Sequence, residues 1–82
     1  MRLDLFLKKT AIIKRRTIAK EIVERGNVKV NGKVAKPSTE VKDGDVLDLH
    51  LGNHQAKAKA FIEIKGTKEF PSFEIIEDIK LN

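Results

Sequence analysis

Eighty-two residues with no cysteine, tryptophan or tyrosine suffice for one domain (1–82) with a small core of Ile, Leu and Val. They exclude a disulfide framework, a thiolate nucleophile and a zinc ribbon. The formal charge of +5 is unevenly divided: Met1 to Lys36 holds eleven Lys and Arg against three acids, +8, and Pro37 to Asn82 holds six against nine, −3, so a polyanion-binding face in the first half is expected.

Leu3, Phe6 and Leu7 recur at i, i+3 and i+4, the stripe of a short amphipathic helix, with Lys8 and Lys9 off the stripe. Ala11-Ile12-Ile13 forms an apolar elbow, and Lys14-Arg15-Arg16-Thr17 leads into a second helix. There Ile18, Ala19, Ile22 and Val23 share one face, while Lys20, Glu21, Glu24 and Arg25 point outward. Gly26-Asn27 supplies the left-handed stop expected past a helix end.

Val28-Lys29-Val30 and Lys33-Val34-Ala35 flank Asn31-Gly32, a strong two-residue hairpin signal, because a type I′ turn needs positive φ at both central residues. Lys36-Pro37-Ser38 breaks the pairing and Lys42-Asp43-Gly44-Asp45 is a turn. Val46 to Leu51 then reads as a strand burying Leu47, Leu49 and Leu51, with Asp48 and His50 toward solvent. Ala56 to Ile64 alternates again and places Ala56, Ala58, Ala60, Ile62 and Ile64 on one side. Gly66 to Ser72 reads as a loop. Phe73 to Leu81 fits a short strand better than a helical turn, although Ile75, Ile76 and Ile79 suit both. The elements add up to an α+β chain, helices first.

Lys14, Arg15 and Arg16 stand at the predicted start of the second helix, where the helix dipole favours acids. An anion resolves the conflict: exposed backbone N–H groups, the dipole and three cations converge on phosphate, with Thr17 adding a hydroxyl and Lys8 and Lys20 extending the patch. Arginine forks onto phosphates at bends and loops of RNA. The sole aromatic of the basic segment, Phe6, belongs to the core, so recognition is expected to rest on backbone shape. His50 and His54 read as surface residues, and Asp43-Gly44-Asp45 lacks the remaining ligands of a calcium loop. Neither a metal site nor a cofactor site is expected, and no Ser/His/Asp set or phosphate-binding glycine loop argues for catalysis.

Arg2-Leu3-Asp4, Arg16-Thr17-Ile18-Ala19, Gly26, Val28-Lys29-Val30-Asn31-Gly32, Lys36-Pro37-Ser38 and Asp43-Gly44-Asp45 occur in an order that closely resembles the S-four RNA-binding domain, named for small-subunit ribosomal protein four. The resemblance runs from Met1 to Leu51, leaving 52–82 as a looser C-terminal extension. It implies two N-terminal helices packed on a small, bent, mainly antiparallel sheet of four to five short strands. It also implies an RNA-binding surface formed by the helices and the first hairpin, with RNA contacts at Arg2, Lys14, Arg15, Arg16, Thr17 and Lys20 and with Asp4 orienting an arginine. Many members carry Ser where this chain has Arg15, so the usual helix cap is missing here.

With no room for a catalytic domain, the chain resembles the small free-standing, ribosome-associated branch of RqcP and heat-shock type. That branch implies binding to large-subunit rRNA and peptidyl-tRNA, assistance to an RqcH-type tailing factor that adds alanine to stalled chains, and a monomer. The absence of a signal-like apolar start, or of any run of about 18 apolar residues, makes the cytoplasm the expected location and argues against membrane association. Two alternatives differ in kind: a basic module that binds an acidic protein, and a general ribosome assembly or heat-shock factor.

Overall fold

The computed structural model describes residues 1–80. Two helices, α1 (Leu3–Lys9) and α2 (Arg16–Glu24), precede five strands, β1 (Val28–Val30), β2 (Lys33–Val34), β3 (Val46–Leu51), β4 (His54–Lys65) and β5 (Lys68–Lys80). The strands form one antiparallel sheet in the order β2-β1-β3-β4-β5. This is the α+β arrangement read from the sequence.

Leu3, Phe6 and Leu7 of α1 are fully buried against Ala19 and Val23 of α2, Val28 of β1, Leu47 and Leu49 of β3, and Ala58 and Ala60 of β4. Burial of each large side chain among these stabilises the fold by about 1.5–3 kcal/mol. Ile22 is half-buried, whereas Ile18, expected on the same face, is 42% exposed. Ala19 and Val23, one turn apart, define the buried line, and Ile18 lies a step around the helix from it.

The chain leaves α1 through Ala11, whose φ is 61°. The Ala11 N–H donates to the Lys8 carbonyl and the Ile13 N–H to that of Leu7, so the helix end is closed and Ile13 is turned into the core. The Asn31-Gly32 turn has φ of 52° and 83°, as a type I′ turn requires. The Asn31 side chain also accepts from Val46 N–H and donates to Asp45, tying the hairpin to the start of β3.

The tail departs from expectation. Instead of a loop over Gly66 to Ser72, Gly66-Thr67 is a tight turn with Lys65 paired to Lys68, and β5 begins immediately. Pro71 is accommodated because β5 is an edge strand, where a missing N–H need not interrupt a ladder. The register slips between Lys57 and Ala58, whose partners are Glu77 and Ile75. Leu81, expected in this strand, lies outside the described residues. β3 pairs with β4 only as far as Lys59, so the distal part of β4 and β5 runs on as a two-stranded ribbon. That is why Ile64, expected on the buried side, is 68% exposed. Among the described residues no helix is long and apolar enough to cross a membrane.

Candidate nucleic-acid interface

The site starts at the entry to α1. Arg2 occupies the position before the helix in extended conformation, and the loop that follows β2 folds back onto it. The Leu3 N–H donates to the Thr39 carbonyl and the Asp4 N–H to that of Pro37, so two of the free amides of the first turn are satisfied by the backbone of that loop. Thr39 closes the loop on itself: its hydroxyl accepts from Lys36 N–H at 2.8 Å and its own N–H donates to the Lys36 carbonyl. Lys36, Pro37 and Ser38 are thereby fixed beside Arg2.

Asp4 is the one buried charged residue among those described, 2% exposed. Its Oδ1 accepts from Leu5 N–H at 2.8 Å and from Arg2 Nε at 3.2 Å, its Oδ2 accepts from Arg2 Nη2 at 3.3 Å, and Arg16 Nε lies 3.5 Å from Oδ2. Burial pushes the Asp4 pKa upward, but the Leu5 amide, the Arg2 hydrogen bond and the positive charges of Arg16 and Arg2 outweigh it and hold the carboxyl below its ordinary value. One carboxylate thus orients two guanidinium groups from two elements. Both arginine side chains remain about half exposed, and each keeps N–H donors free for phosphate, which it can take bidentately.

The start of α2 is the opposite of the start of α1. Arg15 stands at the cap position without a side-chain cap bond, and the first turn holds no acid. Among the described residues no protein acceptor meets the first-turn N–H groups of Arg16, Thr17 and Ile18. Lys14, Arg15 and Thr17 are exposed beside them. Lys8 is exposed in the last turn of α1, where its charge complements the helix dipole. Lys8, Lys14 and Arg15 make no ion pair among the described residues. Lys20 lies 4.0 Å from Glu24, an exposed pair one turn apart on α2.

Of the residues singled out from sequence, Arg2, Asp4 and Arg16 are joined directly. Arg15 and Thr17 adjoin them in sequence at the α2 start, and Lys20 lines the same groove as Arg2. Lys8 and Lys14 are brought into no shared contact with the three. Sequence reasoning passed over Lys36, which lines the same groove as Arg2 and Lys20. Its signal was the Lys36-Pro37-Ser38 motif, read as a strand breaker and as part of the S-four resemblance but not as an RNA contact. The two histidines lie apart from this surface, at the far end of β3 and the start of β4, and both are exposed; the His54 ring pairs with Asp78.

The model of the S4 domain family matches residues 1–47, the segment that contains both helices and the first hairpin. The chain is 40% identical to the RQC P-site tRNA stabilizing factor of Streptococcus pneumoniae (strain ATCC BAA-255 / R6), with 99% of this chain and 96% of that protein covered. It is 49% identical to the protein of the same name from Halalkalibacterium halodurans, over 84% of this chain and 74% of that one. Among solved structures, that of Vibrio cholerae heat shock protein 15, described as trimeric, matches with a TM-score of 0.71 at 30% identity, covering 85% of this chain and 81% of that chain. Motif order, fold and relatives agree, and the chain belongs to the S4 domain family of RNA-binding proteins.

Proposed function

We propose that this chain is a single-domain, non-catalytic factor that binds rRNA of the large ribosomal subunit together with P-site tRNA. Its task in this reading is ribosome-associated quality control: it acts as a cytoplasmic monomer on stalled nascent chains, beside an RqcH-type factor that adds the alanine tail. The RNA contacts are Arg2, Lys8, Lys14, Arg15, Arg16, Thr17 and Lys20, with Asp4 as the residue that positions the arginines.

The carrying observation is the shared carboxylate. Asp4 fixes Arg2 and Arg16 with their remaining donors outward, next to a helix start whose amides are open and whose first turn is cationic. Preset guanidinium groups lose little conformational freedom on meeting phosphate, and the dipole adds to their field. Relatives named for stabilising P-site tRNA support the choice of ribosomal partner.

The test is co-sedimentation with purified large subunits. Arg16→Glu should abolish association while circular dichroism and thermal unfolding show a folded protein. Ribonuclease should release the wild-type chain. Association that survives both treatments overturns the proposal.

A further inference from the structure

The groove between α2 and the segment leaving β2 has a composition that phosphate binding does not explain. Arg2, Lys20 and Lys36 line it together with the apolar side chains of Val23, Val34, Ala35 and Pro37. Val34 is 64% exposed on the two-residue strand β2 at the sheet edge, with Lys33 before it and Lys36 beyond Ala35. A phosphate gains nothing from a valine side chain. A nucleobase does, because its faces are apolar and its edges and flanking phosphates are polar.

We propose that this groove takes one unpaired nucleotide of the bound RNA, the base lying on Val34 and Pro37 and the adjoining phosphates meeting Arg2, Lys20 and Lys36. The inference rests on the RNA-binding function proposed above and deepens it. Charge selects the occupant: three cations face one acid, Glu24, which is engaged by Lys20 at 4.0 Å. Continuity selects it as well, since Arg2 belongs both to the groove and to the Asp4 cluster. The loop is preformed for the purpose, held by the Thr39 hydroxyl and by α1 itself, so little ordering is needed on binding. Recognition is then not wholly a matter of backbone shape, because an extruded base is one that duplex pairing has released.

The experiment uses the full chain, purified large subunits, a salt series, and base-specific chemical probing of the rRNA. Val34→Ser should weaken binding about five- to tenfold at every salt concentration and leave the slope of log affinity against log salt unchanged, because an apolar contact releases no counterions. Lys36→Ala should make that slope shallower by about one. Wild-type protein should protect one unpaired base that Val34→Ser leaves reactive. Val34→Thr keeps the β-branched shape suited to a strand and should show a smaller loss, which guards against misfolding as the cause. If binding is abolished by Arg16→Glu yet indifferent to Val34→Ser, with no base protected, the groove inference falls and the RNA-binding function stands. If the wild type fails to bind large subunits, or binds them after ribonuclease treatment, both fall.

Discussion

Asp4 ties the stability of the fold to the arrangement of two arginines. A carboxylate withdrawn from water costs several kcal/mol unless it is paired, and here a backbone amide and two guanidinium groups supply the pairing. Asp4→Asn leaves Arg2 and Arg16 facing each other without the intervening charge. It should destabilise the protein by about 1–3 kcal/mol in urea unfolding and weaken RNA binding through loss of orientation. The pH dependence has a definite sign. The folded-state pKa lies below the ordinary 3.8, so the unfolded chain takes up the proton first as acid is added. The contribution is complete above about pH 4 and fades as pH falls through the folded value. The stability gap between wild type and Asp4→Asn should therefore be constant at neutral pH and narrow below that range; a gap that holds steady into strong acid would contradict the charge-based account. The role of Asp4 was legible in the sequence as an expectation about one arginine. Its link to Arg16 was not, because eleven intervening residues must turn through the Ala11 elbow before the two side chains meet.

Among elements, α2 carries the clearest conflict between folding and the proposed binding role. Its N-terminus lacks a side-chain cap and an acid, and three cations crowd it. Arg15→Ser would supply the missing oxygen and remove one charge from the positive end of the dipole, for a gain of about 0.5–1 kcal/mol in stability. The same change should weaken binding to large subunits and make the salt slope shallower by about one, as expected if Arg15 meets a phosphate. A variant both more stable and equally tight would show that Arg15 has no part in the interface. The elements also differ in how openly the sequence declares them. The Asn31-Gly32 hairpin was legible because its turn is decided by two adjacent residues. The last strand was obscured by two local features: Pro71 interrupts the strand pattern, and the register slip that sets Ala58 opposite Ile75 leaves Ile76 between paired positions. Two adjacent isoleucines at such a slip fit a helical period as well as an alternating one. The groove was not legible for a third reason, since Lys36 and Pro37 reach Arg2 only through tertiary hydrogen bonds to α1.

At the scale of the molecule, the division of charge matches the division of structure. The strongly basic first half supplies both helices and the hairpin, while β5 carries Glu69, Glu74, Glu77 and Asp78. Radius of gyration is 11.9 Å, but the extents of 44 × 25 × 22 Å are those of an elongated body, drawn out by the ribbon. A field concentrated at one end orients the chain on approach to a polyanion and speeds encounter. If about five of the cations assigned to RNA meet phosphates, log affinity for large subunits should fall against log salt with a slope of about −3.5 to −4.5. That is roughly a hundredfold or more between 50 and 200 mM salt. Filter binding or sedimentation across that range checks it, and a slope near zero would mean that the basic half is mere solvation. This polarity was legible in residue counts alone, whereas the elongation was not, because nothing local announces that β4 and β5 outrun their neighbours.

The outer margin of β5 has a consequence of its own. An edge strand of thirteen residues, with Phe70, Ile75, Ile76 and Ile79 substantially exposed, would ordinarily invite sheet growth from one molecule to the next and end in insoluble fibrils. Pro71 removes one donor from the row, the irregularity near Ile76 disturbs its straightness, and a row of carboxylates sets like against like when two such margins approach. The chain can thus extend a long arm into solvent without offering a template on which copies would polymerise.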